Sequence, residues 1–348
     1  MSSEPSPLTY AAAGVDLDAR RRFIDRIRPI ARSTHGPEVL AGVGPFGGLF
    51  QLGAYREPVL VSSTDSVGTK VRIAGLLGSY ESIGVDVVHQ NVNDVLTAGA
   101  RPLFFLDYIA SSTLTADDKE ALLRGIANAC KEAGCALIGG ETADMPGIYA
   151  PGDFDIVGFV VGVVERDAII DGSSIRAGDA LLALPSSGLH TNGFSLVRRV
   201  FDVGMSGNAR EERARLERTY PELGTTLGEA LLTPHRGYAG EVPAVRSLVK
   251  GIAHITGGGL IDNVPRILPE GLGARIDRST WQVPAIFRLI QREGGIEERE
   301  MWRAFNMGVG LVLAVDPSNV AAVRAALPEA FVAGEVVGAA GERRTVLA

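Results

Sequence analysis

The chain contains few of the residues that mark several common classes of protein. It has only two cysteines, Cys130 and Cys135, in and just after a segment with a helical pattern, and no histidine or cysteine follows them at zinc-ligand spacing. These cysteines therefore do not indicate a zinc site or a disulfide-rich scaffold. A buried, reduced pair in the cytosol is the favoured interpretation, and a disulfide between them is the alternative.

Excess positive charge and long apolar runs are also missing. The net charge is −7 and the sequence pI is about 5.4, which argues against nucleic acid or an anionic membrane as the main partner. No stretch reaches the ~18 uninterrupted apolar residues of a membrane span, and residues 1–7 are polar and lack the apolar core of a signal peptide. We therefore expect a cytoplasmic protein.

Glycine, by contrast, is abundant. The chain has 43 glycines in 348 residues, about 12% against a usual ~7%. They are not periodic and proline is ordinary, which excludes collagen-like and disordered repeats. The glycines cluster at residues 42–48, 139–140 and 257–259, and such clusters predict turns or close approach of the backbone to a ligand.

Alternating strand-like and helix-like segments predict a mixed α/β fold of the α+β class. The length suggests about two domains of ~150 residues, and the turn-rich segment 171–174 predicts domains at 1–170 and 171–348, with residues 1–15 as an arm.

In the first domain the hydrophobic pattern predicts helices at 16–33, 83–96 and 116–133 and strands at 59–61, 103–106, 136–138 and 155–164. In the second it predicts strands at 180–184, 308–315 and 331–337 and helices at 193–201, 227–232, 242–249, 259–268 and 318–326.

Four acidic residues lie where short apolar runs stop or on an adjacent helix. Asp65, Asp107 and Glu141 each follow a predicted strand, and Asp94 lies on the helix at 83–96. Because strand ends converge on one edge of a sheet, we expect these carboxylates to gather there, where they repel each other unless cations hold them. Mg²⁺ carrying a phosphate-rich nucleotide is the natural candidate.

The position of Asp94 on a helix leaves an alternative open. Asp94 shares one helix face with Asp86 and Gln90 at four-residue spacing, and by itself this pattern indicates a solvated face. The next strand, which ends in Asp107, favours the functional interpretation.

The segment 64–70 follows a strand and combines Asp65, Gly68, Thr69 and Lys70. The acid can hold Mg²⁺, and Lys70 can neutralise phosphate as a point charge. The segment is not a Walker loop, because no glycine stands five residues before Gly68. An ordinary strand-to-helix turn with a surface lysine is the alternative.

The segment 139–146 is the strongest local signal. Two glycines, the second of them Gly140, follow an apolar strand and precede Glu141, which fits close backbone approach to an anion beside a metal ligand; a tight β-turn is the alternative. Residues 42–48 match G-x-G-x-x-G, but a strand before them and a helix after them are not indicated, so we reject a dinucleotide motif. A mobile flap over phosphate that includes Gly47 fits better.

The segment 186–193 precedes a predicted helix. Its hydroxyls, asparagine and free amides predict an anion site at the helix N-terminus, and its histidine is the best placed of five for proton transfer; a simple N-cap is the alternative. The segment 253–259 has a similar composition, and its His254 fits a hydrogen-bonded core histidine equally well. The candidate substrate-binding residues of the first segment are Ser187, Gly188, His190, Thr191 and Asn192.

Together these segments resemble the phosphoribosylformylglycinamidine cyclo-ligase family, also called aminoimidazole ribonucleotide synthetase. The resemblance runs nearly end to end and is therefore highly specific, whereas the wider superfamily shares only the acidic cluster and part of the glycine pattern. The matching segments are 13–16, 64–70, 92–94, 102–108, 139–146, 169–172, 186–193, 255–259 and 305–310.

The resemblance implies a two-domain ATP-binding fold and a homodimer with sheet from both N-terminal halves at its interface. It also implies ATP-dependent ring closure in purine synthesis, in which formylglycinamidine ribonucleotide becomes aminoimidazole ribonucleotide and ADP and phosphate are released. Phosphorylation of the formyl oxygen would activate it for attack by the amidine nitrogen, and the protein would position the groups and neutralise charge.

Site residues follow from the same resemblance. The catalytic candidates are Lys70, which would meet phosphate, and His190, as a proton shuttle in a loop that faces the substrate. The residues that would hold Mg²⁺–ATP are Asp65, Asp94 and Glu141 as metal ligands, with Gly68, Thr69, Lys70 and Gly140 against the nucleotide and Asp107 added from the strand-end argument.

Several positions depart from the family pattern. Ser66 stands where glycine is usual, which would cost energy if the position needs a positive φ. Residues 89–90, His-Gln, replace a more apolar stretch, and His235 and Gly237 are unusual. Alanines at 11–12 replace a Lys-Asp pair of the arm. None of these changes removes a proposed metal ligand.

Two other interpretations are a superfamily enzyme that phosphorylates another small molecule and a catalytically silent nucleotide-binding dimer. Selenophosphate synthetases usually carry a reactive cysteine or selenocysteine in a glycine-rich N-terminal loop, which residues 42–48 lack, and the hydrogenase maturation protein ends in a cysteine, where this chain has Ala348. The intact acids, Lys70 and His190 argue against a silent dimer.

Overall fold

Two β-sheets and the helices packed on them form the framework of the chain. The computed structural model describes residues 17–205, 207–339 and 344–348. The expected arm, its alanines at 11–12 and the matching segment 13–16 lie outside the described residues. No helix within these ranges is long and apolar enough to cross a membrane.

The first half of the chain contains a four-stranded sheet in the order β3-β6-β4-β5 and a short β1-β2 ladder. β3 and β4 both run antiparallel to β6, and β4 runs parallel to β5, so β3, β4 and β5 point the same way. The elements are α1 (Leu17–Arg32), β1 (Val39–Ala41), β2 (Leu49–Phe50), β3 (Pro58–Ser66), α2 (Lys70–Leu77), α3 (Glu81–Thr97), β4 (Arg101–Ser111), α4 (Ala116–Ala133), β5 (Ala136–Asp144) and β6 (Phe154–Glu165).

The two faces of this sheet differ because side chains alternate along each strand. Phe105 and Ile109 of β4 lie on the face that α3 and α4 cover, and they are fully buried. On the opposite face, Leu60, Tyr108 and Phe159 are exposed. The sheet thus has one packed face and one open apolar face.

The second half contains a six-stranded sheet in the order β10-β12-β7-β13-β11-β14, antiparallel except for the β11-β14 pair. All seven residues of the inner strand β12 are buried. The elements are β7 (Ala180–Pro185), α5 (Phe194–Phe201), α6 (Ala209–Leu216), β8 (Thr219–Tyr220), β9 (Thr225–Thr226), α7 (Leu227–Leu232), α8 (Glu241–Val245), β10 (Val249–His254), α9 (Gly259–Asn263), β11 (Leu272–Ile276), α10 (Ala285–Gly294), α11 (Glu298–Ala304), β12 (Val309–Val315), α12 (Val320–Ala326), β13 (Phe331–Gly338) and β14 (Thr345–Leu347).

Helix α3 joins the two halves. One side of it packs on β3 and β6, and it also contacts β10 of the second sheet. Asp86 accepts a hydrogen bond from the amide of His235, and Asn93 accepts one from the amide of Tyr238. The face that carries Asp86 and Gln90 is therefore buried at this junction, and the alternative of a solvated face is wrong.

The mixture of helices and sheets agrees with the expected class, and α4 and α7 have the predicted bounds. The helix expected at 242–249 is wrong in its second half, because α8 ends at Val245 and β10 begins at Val249. The boundary at 170/171 stays a prediction.

Candidate active site

Two of the acids lie in one row across the first sheet. Asp65 pairs with Gly158 of β6, Gly158 pairs with Asp107 of β4, and Asp107 pairs with Gly140 of β5. Directly paired residues share a face, and two strand spacings separate the Cα atoms of Asp65 and Asp107 by about 10 Å. Both acids lie within their strands, so the expectation that they follow strand ends is wrong. They do lie at the same height along the sheet, because both pair with Gly158.

Asp94 lies on the same face of the sheet, carried by α3. Its Oδ2 accepts a hydrogen bond from Ser63 Oγ at 2.8 Å, and its Oδ1 accepts one from His254 Nδ1 at 2.9 Å. Burial by itself would raise the pKa of Asp94, but the hydrogen bond and charge of His254 and the Ser63 hydroxyl bring it below the ordinary value. Asp94 is thus held as a carboxylate between the two halves.

Asp107 behaves in the opposite way. Its side chain is buried, and burial, together with the negative charge of Glu141, raises its pKa to about 7. Gly140 approaches it so closely that a Cβ at position 140 would overlap the Asp107 carboxylate. A buried carboxylate beside a second acid and bare backbone is an arrangement that a cation would stabilise.

Glu141 lies one residue further along β5. It pairs with Tyr108, on the opposite face from Asp107, and its carboxylate accepts a hydrogen bond from Arg20 of α1 at 2.9 Å. Asp107, Gly140 and Glu141 nevertheless line one cleft of about 1150 Å³, which α1, α4 and the glycine segment 42–48 enclose. Gly47 of that segment also lines the cleft, and its role in a mobile flap stays a prediction.

The segment 65–69 passes from β3 into α2. Asp65 is exposed, and its Oδ1 accepts a hydrogen bond from the Ser66 amide at 2.8 Å. Gly68 has a φ of +69°, whereas Ser66 is not among the residues with positive φ, so serine at 66 carries no backbone strain. The Thr69 hydroxyl lies 3.2 Å from that of Ser195 at the start of α5.

Lys70 is fully buried rather than exposed on the surface. Its ammonium lies 2.8 Å from Asp86 Oδ2 and donates hydrogen bonds to the carbonyl oxygens of His190 at 3.2 Å and Thr233 at 2.9 Å. Burial lowers the pKa of Lys70, and the charge of Asp86 opposes this shift. The three N–H groups of the Lys70 ammonium thus have three partners, which connect α2 and α3 to two loops of the second half. To contact phosphate, Lys70 would have to release one of these three partners.

The segment 186–193 is held in a strained conformation at this junction. His190 has a φ of +62°, a region that costs a non-glycine residue about 1–3 kcal/mol. Its Nε2 accepts a hydrogen bond from the Ser187 amide at 3.2 Å, and Asn306 Nδ2 donates to the Gly188 carbonyl at 2.9 Å. Strain of this kind persists where the surroundings enforce it, which is typical of functional loops.

His190 is buried and neutral. Burial lowers its pKa well below the ordinary value, and the nearby charges of His254 and Lys70 lower it further. Thr191 Oγ1 lies 3.3 Å from His235 Nδ1, and Asn192 Nδ2 lies 3.5 Å from Thr191 Oγ1. The loop that the sequence predicts for substrate is thus next to Asp94 through the rings of His235 and His254.

Sequence reasoning missed three residues that organise the junction. Asp86 anchors both Lys70 and the backbone of His235, and Asn93 binds the backbone of Arg236 and Tyr238. The only signal for His235 was its departure from the family pattern. No sequence signal distinguished Asp86 from a surface acid, because its partners lie far away along the chain.

Comparisons with known proteins agree with this arrangement. Two family models match the chain. The model described as AIR synthase related protein, N-terminal domain, matches residues 51–164, and the model described as AIR synthase related protein, C-terminal domain, matches residues 176–346.

Curated relatives named phosphoribosylformylglycinamidine cyclo-ligase match almost the whole chain. The relative from Sorangium cellulosum (strain So ce56) is 52% identical and covers 95% of each chain, and that from Bordetella petrii is 50% identical and covers 98% of this chain and 96% of its own. The chain belongs to the phosphoribosylformylglycinamidine cyclo-ligase family. A further member, from Thermoanaerobacter sp. (strain X514), is 48% identical over 96% of this chain and 99% of its own.

Solved structures confirm the expected superfamily fold for this cyclo-ligase family member. Thiamine-monophosphate kinase from Stenotrophomonas maltophilia K279a matches with a TM-score of 0.61 at 19% identity, covering 93% of this chain and 95% of its own. The hydrogenase maturation protein HypE in complex with ATP matches with a TM-score of 0.66 at 18% identity, covering 94% and 91%. At such identities the likeness concerns the fold.

Proposed function

We propose that the protein catalyses the ATP-dependent cyclisation of formylglycinamidine ribonucleotide to aminoimidazole ribonucleotide in purine biosynthesis, with release of ADP and phosphate. The observation that carries this proposal is the match of about 50% identity to named cyclo-ligases over nearly the full length of both chains. A match of this extent includes every segment from 64–70 to 305–310 on which the resemblance was based.

ATP is the cosubstrate. HypE in complex with ATP, and a ThiL protein complexed with AMPPCP and TMP, share this fold, which supports nucleotide binding here. We assign Asp65, Asp94 and Glu141 to Mg²⁺–ATP, with Asp107 beside them. The ligand type fits, because carboxylate oxygens are the ligands that Mg²⁺ prefers and because the buried Asp107 has a raised pKa that a cation would lower. Glu141 lies on the opposite face of the sheet from Asp94, so these acids reach the nucleotide from two sides. Mg²⁺ would neutralise phosphate charge.

Gly68, Thr69 and Gly140 are assigned to the nucleotide as well. Gly68 has a positive φ, and Gly140 leaves no room for a Cβ beside Asp107, so both positions present bare backbone. Backbone amides without side chains can approach phosphate closely. Gly47 in the wall of the cleft would cover the bound phosphates.

The reaction follows from the chemistry of the formamide. Its carbonyl oxygen is a poor leaving group, so transfer of a phosphoryl group from ATP to that oxygen, with loss of ADP, prepares it to leave. The amidine nitrogen then attacks the formyl carbon, the ring closes, a proton is lost and phosphate departs. The protein contributes by positioning these groups and by stabilising charge.

Residues 187–192 face the substrate in this proposal. The ring of His190 is neutral and can therefore accept a proton, but its Nε2 already accepts the Ser187 amide. Proton transfer by His190 thus requires the loop to open when substrate binds. Lys70, which holds the His190 carbonyl, would act on this loop first and on phosphate only after release.

The active form is a homodimer in the cytoplasm. The open face of the first sheet carries Leu60, Tyr108 and Phe159, which supports an interface between two such sheets. The thiols of Cys130 and Cys135 are free and buried, in keeping with a reducing compartment.

A coupled assay tests the function. The purified protein is supplied with ATP, Mg²⁺ and formylglycinamidine ribonucleotide, and we expect aminoimidazole ribonucleotide and ADP in equal amounts. Asp94→Asn should abolish turnover and weaken nucleotide binding while the fold stays intact, whereas Asp167→Asn, an exposed acid bound to Arg56, should behave as the wild type. ATP binding without substrate-dependent ADP release would instead indicate a silent nucleotide-binding protein.

A further inference from the structure

Three buried histidines meet at the junction of the two halves. His190, His235 and His254 are 1%, 1% and 5% exposed, and one ring nitrogen from each lies within 4.8 Å of the others. They come from the loop before α5, the loop after α7 and the end of β10. Within the described residues this is the one group of three or more histidine, cysteine or acidic side chains with such spacing.

Two of the rings already have the orientation of metal ligands. His254 donates its Nδ1 hydrogen to Asp94 at 2.9 Å, and the Nδ1 of His235 lies 3.3 Å from the Thr191 hydroxyl. Their Nε2 atoms lie 3.1 Å apart, within hydrogen-bond distance, and Asn93 Nδ2 lies 3.3 Å from the Nε2 of His235. Two nitrogens at about 2.0–2.1 Å from a tetrahedral ion are about 3.3 Å apart. A hydrogen bond from the outer ring nitrogen to a carboxylate or another oxygen is also the usual support of a metal-bound histidine.

The third ring is only partly satisfied by the protein. His190 stacks on His235 with 3.9 Å between ring centroids, and its Nδ1 has no hydrogen-bond partner among the described residues although it is buried. Burial and neighbouring positive charges hold the pKa values of His190 and His235 well below the ordinary value, so both rings are neutral. A neutral imidazole has one lone pair for a metal ion. In His190 that lone pair is on Nε2, which would exchange the Ser187 amide for the ion.

The position of His235 depends on two neighbours, His89 and Gly237, which contact each other. His89 Nδ1 donates to the carbonyl oxygen of His235 at 2.7 Å. A Cβ at Gly237 would lie 2.9 Å from the His89 ring, so glycine at 237 makes room for that histidine. The three unusual residues therefore form one unit that places the His235 backbone.

We propose that His190, His235 and His254 bind one divalent transition-metal ion of the Zn²⁺ type at a site separate from that of the nucleotide. Three imidazole nitrogens suit Zn²⁺, Co²⁺ or Ni²⁺, whereas Mg²⁺ prefers oxygen. The fourth position is open to water, as in zinc sites with three protein ligands. His190 turns about its side-chain bonds to reach the ion, because its ring is stacked on that of His235.

Such an ion would fix the 186–193 loop to the rest of the second half and hold the His190 lone pair, so the proton transfer proposed for His190 would belong to the metal-free chain. Through His254 and Asp94 it would also be connected to α3 of the first half. An ion that binds the folded chain stabilises it in proportion to the logarithm of its free concentration. Metal binding should therefore raise the unfolding temperature of the wild type.

Cobalt is the most direct probe, because Co²⁺ with nitrogen ligands has visible absorption bands. The metal-free wild type is titrated with Co²⁺ in the presence of excess Mg²⁺, with long equilibration because the site is buried. We expect a visible spectrum that saturates at one Co²⁺ per chain, is displaced by Zn²⁺ and is unaffected by Mg²⁺. The measurement does not involve turnover, so it is independent of the proposed function.

Asparagine variants locate the site. His235→Asn and His254→Asn should each weaken Co²⁺ binding by at least about 100-fold, the upper end of the loss that removal of a supporting hydrogen bond causes. His35→Asn is the matched control: it removes one histidine, which bonds the Leu137 carbonyl outside the cluster, and should bind Co²⁺ as the wild type does. Absence of the spectrum in the wild type, its displacement by Mg²⁺, or full binding by both cluster variants would overturn the proposal.

Discussion

At the residue scale, Asp94 and Asp107 show how the same side chain takes two electrostatic roles on one sheet face. Asp94 is stabilised as a carboxylate by His254 and Ser63, which act on separate oxygens. Asp107 is buried beside Glu141, and its pKa is raised to about 7. The surroundings of Asp94 thus favour its ionised form. Asp107 ionises only when a cation or a higher pH compensates for its burial.

The raised pKa of Asp107 predicts a pH dependence of stability. An aspartate in the unfolded chain titrates near 3.9, so between pH 4 and about 7 the native state holds a proton that the unfolded state has released. The free energy of unfolding should therefore fall as pH rises through this window and level off above it. Asp107→Asn lacks this titration, so its stability relative to the wild type should increase steadily from pH 4 to 7.

Urea denaturation at several pH values in EDTA measures this effect without a bound cation. Asp167→Asn, whose side chain is exposed, is the control and should follow the wild-type curve. Parallel curves for Asp107→Asn and the wild type would show that Asp107 is ionised throughout and that the assigned pKa is wrong.

The departures at residues 66 and 89–90 lie next to each other in the fold. Gln90 Nε2 donates to the backbone carbonyl of Ser66 at 3.2 Å, a bond that any residue at 66 could accept. A single sequence shows each departure separately, because the partners are 24 residues apart and only the fold brings them together.

At the element scale, apolar runs predicted the existence of elements better than their ends. The run at 103–106 lies inside β4, but the strand continues to Ser111 because its backbone remains paired on both sides. The short strand β11 and helices α10 and α11 were not predicted. Their presence depends on packing against elements far away in sequence, such as β13 for β11.

Helices α3 and α4 are a case in which packing overrides helix propensity. Gly84 and Gly125 lie where the two helices touch, and a Cβ at either position would overlap backbone oxygens of the other helix, Leu122 O or Glu81 O. Gly125→Ala should gain about 1 kcal/mol of helix propensity but force the helices apart. We expect a net loss of about 1–3 kcal/mol in the free energy of unfolding, measured by urea denaturation.

Gly75→Ala in α2 is the matched control for this prediction. Its Cβ would meet its nearest neighbour, the Gly152 carbonyl oxygen, at an ordinary 3.7 Å, so this variant should be as stable as the wild type or up to about 1 kcal/mol more stable. Equal behaviour of the two alanine variants would mean that the α3–α4 contact is looser than described.

At the scale of the whole molecule, the candidate site spans two regions rather than one edge of a sheet. Asp107, Gly140, Glu141 and Gly47 line the cleft beside α1, whereas Asp94, Lys70 and the 186–193 loop meet at the junction between the halves. The sequence motifs identified nearly all of these residues. Their division into two regions depends on strand register and on α3, which no local pattern encodes.

The open face of the first sheet gives the last prediction. Leu60, Tyr108 and Phe159 are 61%, 38% and 37% exposed on one side of a four-stranded sheet, and several exposed large apolar side chains on one face favour an interface there. A two-fold dimer would bring the same patch from both chains together, so a charge placed there is buried twice. If the wild type is the proposed dimer, Phe159→Arg, on the inner strand β6, should therefore convert it to monomers in sedimentation velocity at micromolar concentration. Val346→Arg, at an apolar position of the second sheet that is 49% exposed, should leave the association state of the wild type unchanged. A monomeric wild type, or a Phe159→Arg variant that remains as dimeric as the control, would assign this face to something other than a second copy of the chain.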